Sequence, residues 1–145
     1  MSVTQVDVRQ AQALRASEDY TYVDVRSVPE YDAGHPAGAH NVPLLHRDPA
    51  TGMMQPNVQF LDVMQANYAK DANLLVGCQM GGRSSQAAQI LVSAGYTNVC
   101  NVLGGFGGAR DRYTGQVLNE GWADAGLPVD TEPTPGGSYG ELSGG

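Results

Sequence analysis

Cys78 is preceded by Leu74-Leu75-Val76-Gly77 and followed by Gln79, Met80, Gly81, Gly82, Arg83 and Ser84. An apolar run that ends in a cysteine and passes through a glycine-containing loop into helix formers reads as a strand–loop–helix unit. At such a turn successive backbone N–H groups point at one centre, and the helix dipole adds partial positive charge. Gly81 and Gly82 permit the positive φ angles that this cradle requires. Arg83 adds a full positive charge, and Ser84 is a natural N-cap. Together these features favour thiolate over thiol at Cys78, and the thiolate is the nucleophile. The same donors suit an anionic sulfur carried on Cys78 or the oxyanion of a bound substrate. Residue type alone also allows a buried structural cysteine that closes a core strand. The Gly-Gly-Arg-Ser sequel weighs against that, because a structural loop has no need to gather donors.

The second cysteine, Cys100, alternates along a strand with Val99 and is expected in the core. Residue types alone leave a Cys78–Cys100 disulfide open, but a domain of this size without a signal peptide favours free thiols. His35, His40 and His46 are spaced by five and six residues. That matches no zinc pattern and lacks cysteine ligands, so no metal site is expected.

The elements that must position Cys78 alternate between strand and helix. Short strands are predicted at Thr4–Asp7, Tyr20–Val25 and Ala39–Pro43, and fuller ones at Asn73–Gly77 and Asn98–Leu103. Leu74-Leu75-Val76 has the continuous apolar character of a strand buried on both faces. Helices are predicted over Gln10–Arg15, over a short segment from Pro29 to Tyr31 ended by Gly34, over Val58–Ala69 and over Ser84–Ala94 with Gly95 as its cap. Residues 46–57, with Pro49, Gly52 and Pro56, read as a loop. Strands alternating with helices imply parallel pairing and an α/β sheet covered on both sides. A cysteine at the carboxyl end of a strand then lies where such sheets bind ligands.

The chain has 145 residues, 41% hydrophobic and 16% charged, which suits one globular domain. Its formal net charge is −7 with eight Lys and Arg. No basic footprint for nucleic acid is present, and an acidic surface repels anionic membranes. No run approaches the ~20 apolar residues of a membrane span. Met1-Ser2-Val3-Thr4-Gln5 lacks signal-peptide character, so cytoplasmic residence is the expectation, although removal of a transit peptide leaves a similar start. After Asp130 the composition turns to Pro, Gly and Ser. Residues 131–145 are therefore expected to be a flexible tail following a folded domain over 1–130.

Three blocks resemble the rhodanese family. The first runs from Tyr22-Val23-Asp24-Val25-Arg26 through Glu30-Tyr31 to Gly34-His35-Pro36-Ala37-Gly38-Ala39-His40-Asn41-Val42-Pro43. The second is the Cys78 loop, of the form Cys-x-x-Gly-x-Arg-Ser. The third is Val102-Leu103-Gly104-Gly105-Phe106, with Trp122 and Gly126-Leu127-Pro128-Val129 beyond. The resemblance implies a three-layer α/β fold, with a mainly parallel five-stranded sheet and helices on both faces. It also implies a sulfurtransferase that takes a sulfane sulfur from thiosulfate or a persulfide and passes it, through a Cys78 persulfide, to a thiol or cyanide. Small sulfur donors, thiol acceptors and thioredoxin-like proteins are the implied partners, with no cofactor. Gln79 to Ser84 would cradle the persulfide. Asp24, Arg26, Glu30 and His35 would brace the loop. The alternative is a relay or binding module of the same fold with little turnover alone.

Loop length and departures from the family pattern refine this. Related phosphatases and arsenate reductases use a loop one residue longer, whereas four residues separate Cys78 from Arg83, a span better suited to one sulfur atom than to phosphate. Gln79 and Met80 stand where two-domain thiosulfate enzymes carry basic residues. Glu30 aligns with their substrate-contacting arginine, so weak affinity for thiosulfate is expected, with Arg83 and the loop amides holding it. The family tryptophan is matched by Trp122, which implies an insertion over Ala109–Gly121.

Overall fold

The computed structural model describes residues 3–144; Met1, Ser2 and Gly145, at the edges of the expected domain and tail, lie outside the described residues. The chain runs β1 (Thr4–Val6), α1 (Val8–Ser17), β2 (Tyr20–Asp24), α2 (Val28–Ala33), β3 (His35–Pro36), β4 (His40–Asn41), β5 (Leu45–Arg47) and β6 (Met54–Pro56). It continues with α3 (Phe60–Asn67), β7 (Asn73–Gly77), α4 (Gly82–Ser93), β8 (Val99–Val102), β9 (Ala109–Arg110), β10 (Val117–Asn119), β11 (Val129–Asp130) and α5 (Tyr139–Leu142). Five strands form one sheet in the order β1-β8-β7-β2-β4, with every pairing parallel. This is the α/β architecture expected from the alternating pattern.

Period-two burial assembles the layers. Leu74 and Val76 of β7 join Val23, Phe60, Met64, Ala87, Ala88 and Leu91 on the α3–α4 face. Leu75 points the other way, into Val8, Ala11, Tyr22, Tyr31 and Trp122 on the α1–α2 face. Leu74, Leu75 and Val76 are fully buried, and each such side chain contributes about 1.5–3 kcal/mol of transfer free energy. β7 is thus covered on both faces, and its C-terminal end is held on both edges by β2 and β8. Local chemistry sets the element ends. Asp7 Oδ1 accepts from Gln10 N at 2.8 Å and Gln10 Oε1 accepts from Asp7 N at 2.9 Å, a reciprocal cap that starts α1.

Two expectations change, and a third region takes a form the sequence left open. Residues 46–57 are not a plain loop: β5 and β6 pair antiparallel as a hairpin, with Arg47 opposite Met54. The Ala109–Gly121 insertion is also a hairpin, of β9 on β10. It closes where Trp122 N donates to Gly105 O at 2.8 Å, which returns Trp122 to the buried core. The expected flexible tail is instead laid back on the domain. Asn41 N donates to Gly137 O at 2.8 Å, and Thr134 N donates to Tyr31 Oη at 3.1 Å. Tyr139 and Leu142 pack on the core beside α3. Two apolar side chains and an open donor on β4 outweigh a composition that by itself reads as loose.

Candidate active site

β7 delivers Cys78 to the head of α4. The thiol is 2% exposed, and Gly81 N donates to Sγ at 3.1 Å. Gly81 is the N-cap of α4 and takes φ +123°, a conformation that favours glycine. The expectations for its neighbours change in two respects. Gly82 is already helical and has no positive φ. Ser84 is not the cap but lies inside the first turn, fully buried. The first N–H groups of an α-helix have no intrahelical acceptor, so Gly82, Arg83 and Ser84 begin α4 with donors free for the sulfur end of the loop.

Ser84 turns toward the sulfur. Cys78 Sγ donates to Ser84 Oγ at 3.4 Å, and Ser84 Oγ donates to Asn101 Oδ1 at 2.6 Å. Asn101 Nδ2 donates onward to Gln5 Oε1 at 2.8 Å. Asn101 is 2% exposed in the middle of β8, among Val99, Cys100 and Val102. A polar side chain in a core strand needs its hydrogen bonds met, and here they are met by Gln5 and by Ser84, the group that also touches Cys78 Sγ. With its one hydrogen given to Asn101, Ser84 accepts from a thiol; turning that hydrogen toward an anionic sulfur would exchange the Asn101 bond for one to the sulfur.

The loop is gripped from outside by the glycine-rich segment after β8. Phe106 N donates to Cys78 O at 2.7 Å, and Gly107 N donates to Gln79 O at 2.9 Å. A Cβ on Gly105 would lie 2.1 Å from Cys78 O, and one on Gly107 would lie 2.0 Å from Gln79 Nε2. Gly105 is therefore needed for the close approach, since the atoms it would meet are backbone, whereas at Gly107 the Gln79 side chain could turn aside. Met80, next along the loop, is 56% exposed.

Two ion pairs underlie the loop. Asp24 and Arg26 form a buried, two-pronged pair with a shortest contact of 2.7 Å. Arg26 also donates to Gly34 O at 2.6 Å and to Gln79 Oε1 at 3.3 Å, with its guanidinium 4.5 Å from the Phe106 ring centre. It therefore links β2, α2 and the loop. Arg83 is not a free cation. Its two terminal nitrogens donate to the two Glu30 oxygens at 2.7 and 3.0 Å. Burial by itself would raise the Glu30 carboxyl, but hydrogen bonds from Arg83 and Ser27 outweigh it and pull the group down to about 2. His35 is set apart from the sulfur: it is fully buried, stacked 3.7 Å from the Tyr31 ring, and its Nδ1 lies 2.7 Å from Tyr31 O.

Cys100 lies in the cluster on the opposite face of the sheet from Cys78, and burial raises its thiol. Both cysteines are free. Among the described residues no group of three or more His, Cys, Asp or Glu is placed to hold a metal, and no helix is long and apolar enough to cross a membrane. Sequence reasoning missed Asn101 and the Phe106–Gly107 clamp. Asn101 had one available signal, a lone amide in an otherwise apolar strand.

The rhodanese-like domain family matches residues 7–111. Thiosulfate sulfurtransferase 16, a chloroplastic protein of Arabidopsis thaliana, is 38% identical over 110 residues, covering 76% of this chain and 79% of its own. Thiosulfate sulfurtransferase 18 of the same plant is 36% identical over 132 residues, covering 90% of this chain and 85% of its own. Among solved structures, Rv0390 from M. tuberculosis superposes with a TM-score of 0.71 at 25% identity, covering 91% of this chain and all of that one. The chain belongs to the rhodanese family.

Proposed function

We propose that the protein is a sulfurtransferase that carries sulfane sulfur as a persulfide on Cys78. The observation that carries the reading is the placement of Sγ at the end of the central strand, with the Gly81 N–H donated to it at 3.1 Å from the head of α4. Relatives named thiosulfate sulfurtransferase support the same class. In the first step the Cys78 thiolate attacks the outer sulfur of the donor. An S–S bond forms to Cys78, the donor's own bond to that sulfur breaks, and sulfite or a thiolate departs with the electron pair. The unpaired amides at the start of α4 and Ser84 Oγ then stabilise the terminal sulfur. In the second step a thiolate or cyanide attacks that sulfur and releases the Cys78 thiolate.

The exposed Met80 beside a thiol that is 2% accessible favours a second reading, in which a partner protein docks on the loop to receive the sulfur. Intact-protein mass spectrometry separates the two. A gain of one sulfur on Cys78 from small donors, absent in Cys78→Ser, supports the enzyme. A gain that requires a partner protein supports relay, and no gain from any donor or partner removes both.

A further inference from the structure

The hydrogen-bond chain that begins at Cys78 ends on the surface. It runs from Sγ to Ser84 Oγ at 3.4 Å, on to Asn101 Oδ1 at 2.6 Å, and from Asn101 Nδ2 to Gln5 Oε1 at 2.8 Å. Gly81 O is a second and longer acceptor for the Ser84 hydroxyl, at 3.2 Å. Ser84 and Asn101 are buried. Gln5 stands opposite Asn101 in the parallel register of edge strand β1 on β8, and it is exposed. Every member between the ends has two faces: a hydroxyl both donates and accepts, and an amide offers an oxygen at one corner and an NH2 at the other. The two ends therefore set the direction. A thiol donates, so the chain points from the sulfur to Gln5. An anionic sulfur only accepts, so Ser84 must give it the hydrogen. Asn101 then keeps its bond to Ser84 by turning its amide and donating Nδ2, which leaves Oδ1 facing Gln5.

We infer that Gln5 is a positioning residue for Cys78. As an amide able to accept or donate, it lets the chain reverse when the sulfur becomes anionic. With an end group of one polarity, one of the two directions would leave the buried Asn101 amide with an unmet oxygen or N–H, which is costly. No proton travels along the chain: the thiol proton passes to water, and the hydroxyl and both amides only rotate. The inference rests on the sulfur-transfer reading for its use, since that cycle makes Cys78 anionic twice, as the attacking thiolate and as the persulfide.

The test fixes the far end of the chain. Gln5→Glu can only accept, which holds the thiol direction, and Gln5→Lys can only donate, which holds the anionic direction. The rate of Cys78 alkylation by iodoacetamide, followed by mass spectrometry from about pH 6 to 10, reads the proton affinity of the thiol. The midpoint for Gln5→Lys is expected about one pH unit below that for Gln5→Glu, with wild type between them. Bare charge would act in the same direction, so two controls separate it. Ser84→Ala cuts the chain, and in that background the two Gln5 variants are expected to agree. Thr4→Lys and Thr4→Glu, at an exposed neighbour on the same strand, are expected to leave the midpoint in place. The other charged or titratable groups around the sulfur are Arg83 with Glu30, Asp24 with Arg26, and Tyr22, and no variant alters them. Gln5 is exposed, so its variants should fold, and thermal melting checks that they do. Coincident midpoints for Gln5→Lys and Gln5→Glu overturn the inference, as does a separation that persists with Ser84→Ala or is matched at Thr4. Alkylation needs no sulfur donor, so each of these failures leaves sulfur transfer standing. Failure of thiosulfate and of persulfides to load wild-type Cys78 removes that reading instead.

Discussion

Glu30 sets the charge at the outer side of the cysteine loop. By holding both terminal nitrogens of Arg83 at 2.7 and 3.0 Å, it removes the charge that a free arginine would offer to an anionic donor. Glu30→Gln keeps the shape and frees the guanidinium. The KM for thiosulfate is expected to fall about fivefold, the equivalent of ~1 kcal/mol, in a steady-state cyanide assay; an unchanged or higher KM would show that Arg83 does not meet the donor. The same pair fixes a pH window. A carboxyl held at about 2 contributes its stability in full above its unfolded value near 4.5 and loses it as pH falls toward 2. The melting difference between wild type and Glu30→Gln should thus be constant above pH ~5 and shrink below it. Neither Glu30–Arg83, 53 positions apart, nor Ser84–Asn101 was legible in the sequence. Such pairings depend on which strand ends meet, and local pattern carries no record of that.

At the scale of elements, the pattern was informative where burial is two-sided. Tyr20–Asp24, Asn73–Gly77 and Val99–Val102 are runs of apolar and β-favouring residues because parallel strands between two helix layers need them. The β5–β6 hairpin was not legible, since Pro49, Gly52 and Pro56 dominate the signal while each strand pairs only three residues. Ser84 was misread as a cap because its residue type suits that role equally well. The most sensitive junction between elements is Gly105 against the cysteine loop. It has φ +53°, and an added Cβ would meet Cys78 O at 2.1 Å and Cys78 C at 2.9 Å. Backbone atoms cannot swing aside as a side chain does, so Gly105→Ala must displace the loop. Loss of ~1–3 kcal/mol of stability is expected, with at least a tenfold loss in kcat. A variant that melts and turns over like wild type would show that the clamp is dispensable.

At the scale of the whole molecule, residues 134–142 bind β4, α2 and α3 to one another. The C-terminal segment closes over β4, where a Cβ on Gly137 would lie 2.6 Å from the His40 ring. His40 Nδ1 lies 2.6 Å from Tyr68 Oη. Burial, with a smaller contribution from Arg15, lowers the His40 imidazole below its ordinary value. The unfolded chain therefore binds the proton more readily, and stability is full above about 6.5 and falls as pH drops below it. Hydrogen-exchange protection of residues 134–142, corrected for intrinsic rates, is expected to weaken between pH 7 and 5 in wild type but not in His40→Gln. Equal protection at both values in wild type would detach the segment from His40. Composition alone pointed to a loose tail here, because Tyr139 and Leu142 are too few to stand out among Pro, Gly and Ser; their contacts are visible only once the sheet exists.

The most direct test of the account is whether sulfur resides on Cys78. Wild type and Cys78→Ser are incubated with thiosulfate and with an organic persulfide, and intact mass is followed by peptide mapping under non-reducing conditions. One added sulfur is expected on the peptide that carries Cys78 in wild type, discharged by cyanide with release of thiocyanate and absent from Cys78→Ser. Sulfur found on Cys100 instead, or full turnover by Cys78→Ser, would contradict the account.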